Sequence, residues 1–192
     1  MLPFLLLDEK TQVPNFWPYE FKIIKKSEPP NRKDVLHKVG WMKAQAFEYL
    51  GKCLVMDLDC LILKSIDEID ELEKEIAMPI DSAFRTYQDW PEVGEELNAG
   101  LILQNSNKIW QQFQKLWNEK QSFSEITYFD ELIFSCICRK LNGIILPEIY
   151  NTSWDVGDEH DLRKKASDPK TKILHFHGIR KLQLINFIKS VL

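Results

Sequence analysis

Apolar positions in this chain fall into short runs that alternate with longer stretches of helical periodicity, the pattern of an α/β domain. Phe4–Asp8 and Phe21–Lys25 read as strands, separated and followed by Pro14, Pro18, Pro29 and Pro30, which forbid long regular structure there. Asn31–Leu50 reads as a helix, with Val35, Leu36, Val39, Met42, Ala46 and Tyr49 at helical spacing and Gly51 placed to cap its C-terminus. Cys53–Asp57 is an apolar run ending in acid, the signature of a strand buried on both faces. Strands are expected again over Leu61–Lys64, Ala77–Asp81 and Leu97–Gln104, with a short acidic helix over Ile66–Glu75. Ser106 is placed to cap a helix over Asn107–Glu119, whose Ile109, Trp110, Phe113 and Trp117 share one face as a core stripe. A further helix spans Tyr128–Leu141 and stops near Gly143; Ile144–Pro147 and Lys172–His177 are late strands, and Lys181–Leu192 a terminal helix. Asp81–Glu96 and Tyr150–Thr171 are left as long irregular stretches, of the length used for binding loops or lids.

Composition narrows the function classes. The chain has 192 residues, 44% of them hydrophobic, enough for one compact domain spanning residues 1–192. Lys and Arg number 25 against 29 Asp and Glu, giving a net charge of −4 and arguing against a dedicated nucleic-acid binder. No apolar run approaches the ~20 residues of a membrane helix, and Met1–Leu7, followed by Asp8 and Glu9, has no basic flank or cleavage site of a signal peptide. The expectation is a soluble, cytoplasmic protein. Four cysteines (Cys53, Cys60, Cys136 and Cys138) in apolar contexts read as structural thiols rather than a disulfide framework or a zinc site.

The chemistry concentrates in two places. In Met56–Cys60, side chains two apart on an extended segment face the same way, so Asp57 and Asp59 converge at the carboxyl end of a strand, where open α/β sheets bind ligands. Two close carboxylates repel unless a cation neutralises them, and oxygen ligands favour Mg²⁺ or Mn²⁺ and, through it, a diphosphate. A solvated turn would carry the same residues. The second place is Leu174–Lys181, where a strand ends in His175 and His177, followed by Gly178, Arg180 and Lys181. A neutral imidazole is a good third ligand for such a metal, and a lysine can meet phosphate as a point charge; a buried histidine before a basic surface turn would look alike. Trp90, in the loop after Asp81, offers a ring that could stack on a sugar. No glycine-rich phosphate loop and no Gly-x-Ser-x-Gly elbow is present, which argues against P-loop enzymes and serine hydrolases.

Taken in order, these segments resemble the glycogenin-like glycosyltransferases, family 8, of GT-A fold. Lys43–Asp67 resembles that family's helix, strand and Asp-x-Asp block (the DXD motif), and Ala77–Asp81 its next strand. Leu97–Gln104 resembles the Asn-Ser-Gly strand, Tyr128–Phe134 the Asp-Gln helix start, Leu146–Asn151 the Leu-Pro…Tyr-Asn segment, and His175–Lys181 the His-x-x-Gly-x-x-Lys motif. The resemblance covers residues 43 to 182. It implies a Rossmann-like, mixed and mostly parallel sheet flanked by helices. It also implies a metal-dependent, retaining transferase moving a hexose from a nucleotide-sugar, a UDP-sugar with Mn²⁺ or Mg²⁺, to a saccharide or protein acceptor.

By position, Asp57, Asp59 and His175 would ligate the metal, and Gly178 and Lys181 would hold the diphosphate. Lys43 would reach the donor phosphates or sugar, while Asp81, Asn98 and Asp130 would line the sugar and acceptor site, with Asp130 and Asn98 assisting positive charge on the ring. The chain departs from the family pattern in Glu131, where the family has Gln, and Leu182, where it has Pro. Only the 42 residues before Lys43 precede the block, so Phe4–Asp8 would be the family's second strand and the base-binding first strand would be missing. A non-catalytic binding module of the same descent and a nucleotidyltransferase are the alternatives these features leave.

Overall fold

The computed structural model describes residues 5–7, 21–23, 35–81, 86–126, 128–154, 159–176 and 187. In chain order the elements are β1 (Leu5–Leu7), β2 (Phe21–Ile23), α1 (Val35–Leu50), β3 (Cys53–Met56), β4 (Cys60–Ile62), α2 (Asp67–Asp70) and β5 (Ile76–Pro79). There follow β6 (Leu101–Gln104), α3 (Lys108–Glu119), α4 (Phe129–Lys140), β7 (Ile144–Leu146), β8 (Thr152–Trp154), α5 (Glu159–Ser167) and β9 (Ile173–Phe176). β1 and β2 pair in parallel. The larger sheet has strand order β3-β6-β5-β7 and the smaller β4-β9-β8. In the larger sheet β3, β5 and β7 run one way and β6 against them; in the smaller, β8 is parallel and β4 antiparallel to β9. The sheets are therefore mixed; three of the larger sheet's four strands share one direction, but with β6 between β3 and β5 two of its three pairings are antiparallel, where a mostly parallel sheet was expected.

Strand alternation sorts side chains into layers. Ile76, Met78 and Ile102 face a core shared with Trp41 and Ala44 of α1, Phe113 and Trp117 of α3, and Phe134 of α4. Ala77, Leu101 and Leu103 face the opposite way, onto Ile69, Tyr150 and Ile173. Leu174 and Phe176, one step out of phase on β9, pack with Leu162 of α5 and Phe187. The larger sheet thus lies between the three long helices and the smaller sheet, and α5 covers the smaller sheet's far face. The expected aromatic stripe is core: Trp41 meets Trp110 and Trp117 edge-on, at centroid distances of 4.9 and 5.3 Å.

Several sequence expectations are met at the residue level. Gly51 has φ of +70° and its N–H bonds the Phe47 carbonyl, closing α1 as expected. Ser106 Oγ accepts from Lys108 N–H at the start of α3. At the end of α4, Asn142 rather than glycine takes the left-handed position (φ +49°); its N–H bonds Arg139 O and that of Gly143 bonds Cys138 O, the paired reversal of a Schellman cap.

Other expectations are corrected. Val39 is exposed, because α1 turns Trp41 and Ala44 into the core instead. The acidic helix is a single turn, Asp67–Asp70, with Ile69 as its one buried residue. The stretch Tyr150–Thr171 contains β8 and α5. α5 hid from periodicity because it is mostly charged and presents Leu162 and Ala166 to the core, too few positions for a stripe. In the Asp81–Glu96 stretch, Trp90 is fully buried, packed on Phe123 and Phe129, so it is no platform for a sugar. The expected helix over Lys181–Leu192 lies, apart from Phe187, outside the described residues.

Glu68 of α2 joins the smaller sheet to the rest. Its carboxylate accepts a hydrogen bond from the Tyr150 hydroxyl at 2.5 Å and ion-pairs with Lys172, whose ammonium lies 5.4 Å from the centre of the Tyr150 ring. The hydrogen bonds from Lys172 and Tyr150 hold the Glu68 carboxyl down at about 2, against a usual 4.5. A depressed carboxyl stabilises the fold above its unfolded value and loses that contribution as pH falls through the folded one. Glu68→Gln is therefore expected to flatten the loss of stability between pH 4.5 and about 2, read as the urea midpoint against pH. The effect is small because the carboxylate is partly solvated.

Candidate functional site

β6 runs against β3 and β5, so its lead-in, Asn98–Gly100, lies beside the carboxyl ends of both. Asp57 N–H bonds the Gly100 carbonyl, Asn98 N–H that of Pro79, and Asp81 N–H that of Glu96. These backbone bonds bring Asp57, Asp81 and Asn98 to one edge of the sheet. Ser135 of α4 accepts from Leu97 N–H at 2.9 Å and donates to Glu131 O at 2.8 Å, so the first turn of α4, with Asp130 and Glu131, is held against the same edge. α1 also comes close: a Cβ on Gly40 would stand 2.3 Å from the Asp130 Cβ, so only glycine permits the approach.

Lys43 lies among these acids. It is buried; its ammonium pairs with Asp57 Oδ1 at 2.7 Å and donates to Ala99 O at 3.0 Å. Burial pulls its pKa down, but Asp57, Asp130 and Glu131 more than offset this and hold it above the usual lysine value. Asn98 is buried, with Oδ1 accepting from Gly100 N–H at 2.7 Å and Nδ2 donating to Asp81 at 3.4 Å. Lys43, Asp57, Asp81, Asn98 and Asp130, named from the sequence, are thereby gathered at one end of the sheet.

The expected extended Asp-x-Asp segment is instead a turn. Cys60 N–H bonds Asp57 O across four residues, carrying the chain from β3 in one sheet to β4 in the other. The two carboxylates therefore do different things: Asp57 pairs with Lys43, and Asp59 faces His175, with Oδ1 3.3 Å from Nε2. Asp59 and His175 are 7% and 4% exposed. His175 Nδ1 meets Asn151 Oδ1 at 2.8 Å. The sulfur of Cys60 joins them, and the ligand atoms of Asp59, Cys60 and His175 lie within 4.8 Å of one another. Burial, with Asp57 and Asp59 adding to it, pushes the Cys60 thiol well up in the absence of an ion. Sequence reading missed Cys60 because it treated each cysteine by its apolar neighbours; its position one residue after Asp59 was the available signal. His177, Gly178 and Lys181 lie outside the described residues. Within α5, Lys165 donates to the Ser153 carbonyl and so braces α5 on β8.

No family model matches the chain. Human xylosyl- and glucuronyltransferase LARGE2 is 22% identical over 162 residues, 71% of this chain and 22% of that protein, so the chain spans about a fifth of that curated relative's length. Galactosyltransferase LgtC, solved with donor and acceptor sugar analogues, superposes with a TM-score of 0.59 at 16% identity, over 89% of this chain and 75% of that one. Glycosyltransferase GlyE of Streptococcus pneumoniae also gives 0.59 at 16% identity, over 98% of this chain and 57% of that one. At these identities the likeness is one of fold.

Glu131 carries a testable consequence of the crowded acids. Burial raises its carboxyl well above 4.5, Asp130, Glu96 and Asp81 add repulsion, and Lys43 opposes them. A carboxyl raised by folding ionises first in the unfolded chain, so stability falls as pH rises above 4.5 towards the folded value. Glu131→Gln should remove that slope and stabilise the protein at neutral pH, measured by urea unfolding across pH 4 to 8.

Proposed function

We propose that this chain, whose fold is that of the GT-A glycosyltransferases, is a glycosyltransferase that moves a hexose from a nucleotide-sugar, a UDP-sugar, to a saccharide or protein acceptor with retention of configuration. The observation that carries the reading is the meeting of Asp59 with His175, far apart in the chain and 3.3 Å apart in space, beside the Asp57, Asp81, Asn98 and Asp130 edge. A buried carboxylate against a ring nitrogen whose other nitrogen is fixed by Asn151 is the donor arrangement of a divalent-cation site, so the residues fit a divalent cation. Asp59 and His175 would hold it, with Asp57 adjacent.

When bound, the cation supplies positive charge against the diphosphate that leaves as the glycosidic bond breaks. The chain's own groups do the rest. Lys43, fixed by Asp57 and the Ala99 carbonyl, keeps a positive charge in a buried acidic region and faces the donor side. Asp130 opposes positive charge developing on the sugar ring, and Asn98, oriented through Asp81 and Gly100 N–H, offers its amide to hydroxyls. Gly178 and Lys181, carried over from the family motif, would meet the diphosphate.

Calorimetry of the chain with UDP tests the reading. UDP should bind in the presence of Mn²⁺ and at least tenfold more weakly without it (about 1.4 kcal/mol), and Asp59→Ala should abolish the difference while leaving the far-ultraviolet circular dichroism unchanged. Absence of UDP binding in both buffers would favour the non-catalytic module.

A further inference from the structure

Cys60 stands directly across from His175 in the β4–β9 ladder. Alternation along β9 points Leu174 and Phe176 to the α5 side and Ile173 to the larger sheet; His175 falls in phase with Ile173, and Cys60 packs on that same side. Asp59, one residue earlier, closes the group, so carboxylate oxygen, thiol sulfur and imidazole nitrogen share a space in which all three ligand atoms lie within 4.8 Å. The Asp59–His175 separation of 3.3 Å is about the edge of a tetrahedron built on bonds of roughly 2.0–2.1 Å.

The surroundings hold this geometry. His175 Nδ1 meets Asn151 Oδ1 at 2.8 Å, which fixes the ring; in the tautomer with the proton on Nδ1, Nε2 would turn a lone pair to the Asp59 side, the form in which imidazole ligates metals. A Cβ on Gly100 would come within 2.4 Å of His175 Cε1, so the ring is confined from that side too, and the Gly100 carbonyl accepts from Cys60 Sγ at 3.7 Å. Asn151 is fully buried, and its Nδ2 finds no hydrogen-bond partner among the described residues, leaving a donor free beside the ring for a water or ligand oxygen.

Oxygen-only sites suit Mg²⁺ and Mn²⁺, whereas a mixed nitrogen, sulfur and oxygen set suits Zn²⁺. We propose that Cys60 is a protein ligand of the cation site together with Asp59 and His175, and that the site accordingly takes Zn²⁺ in preference to Mn²⁺. Three protein ligands leave the fourth tetrahedral position for a water or a phosphate oxygen. On binding, the Cys60 Sγ–H bond breaks, its proton passes to solvent, and the sulfur lone pair forms the bond to the ion. The inference rests on the cation site proposed above and not on sugar transfer.

Cobalt(II), a spectroscopic stand-in for Zn²⁺, tests it on the whole chain under anaerobic, reducing conditions. One Co²⁺ per chain should give a near-ultraviolet thiolate-to-cobalt charge-transfer band that one equivalent of Zn²⁺ displaces and Mn²⁺ does not. In Cys60→Ser the band should vanish and Zn²⁺ affinity fall on the order of tenfold or more, with Mn²⁺ affinity changing less than threefold; Cys53→Ser, as control, should keep the band. Should Cys60→Ser fail to fold, the cadmium-113 chemical shift of the Cd²⁺-loaded wild type distinguishes one sulfur ligand from none. Cobalt binding without the band, a band that survives Cys60→Ser, or tighter binding of Mn²⁺ than of Zn²⁺ overturns the proposal. If UDP calorimetry with Mn²⁺ still responds to Asp59→Ala in that event, the transferase reading stands alone; if no divalent ion binds at all, both fall.

Discussion

The constraint on which this molecule turns is the packing of carboxylates at one end of a sheet. Asp57 and Asp81 follow strand ends, Glu96 comes from the segment leading into β6, and Asp130 and Glu131 from the first turn of α4, all within the reach of like-charge repulsion. Such a group is tolerable only with compensation, and Lys43 supplies it by giving its ammonium to Asp57 and the Ala99 carbonyl. The peptide dipoles at the start of α4 favour the acids of its first turn. Glu131 favours its proton because it is buried, with Asp130 and Glu96 beside it. Glycine at 40, serine at 135 and the buried Asn98 amide serve the same arrangement: they let α1, α4 and β6 come close enough for one lysine to answer several acids.

The second determinant is the reversal at Asp57–Cys60. A strand continued through these residues would aim both aspartates alike, into one mutually repelling pair. The turn instead moves the chain from one sheet to the other and divides them. Asp57 remains with Lys43 and the larger sheet, while Asp59 leads into β4, whose first residue, Cys60, is set opposite His175 by the register with β9. The two sheets thus meet at a hinge of four residues that carries both halves of the chemistry.

Under the function proposed above, a diphosphate would need a cation with it, because a phosphate alone would meet a surface of its own sign. Glu131, where the resembling family carries an amide, adds no charge to that surface while it keeps its proton.

The layered architecture, and most of the residues that the fold gathers at the candidate site, could be read from the chain alone. Apolar runs of strand length, helical stripes such as Ile109–Phe113–Trp117, and the order of the Asp-x-Asp, Asn98 and His175 segments are local patterns, and local pattern is what sequence carries directly. The elements it hid were those with little apolar surface of their own, α5 and β8, which exist because Leu162 and the β9 ladder give them something to pack against. The partner of each acid could not be read, since which carboxylate meets Lys43 and which meets His175 depends on a turn and on a strand register between residues distant in sequence. Cys60 looked like any apolar thiol for the same reason: only the pairing of β4 with β9 puts sulfur beside nitrogen. Short-range chemistry fixed the elements, and long-range pairing, which no window along the chain contains, decided the site.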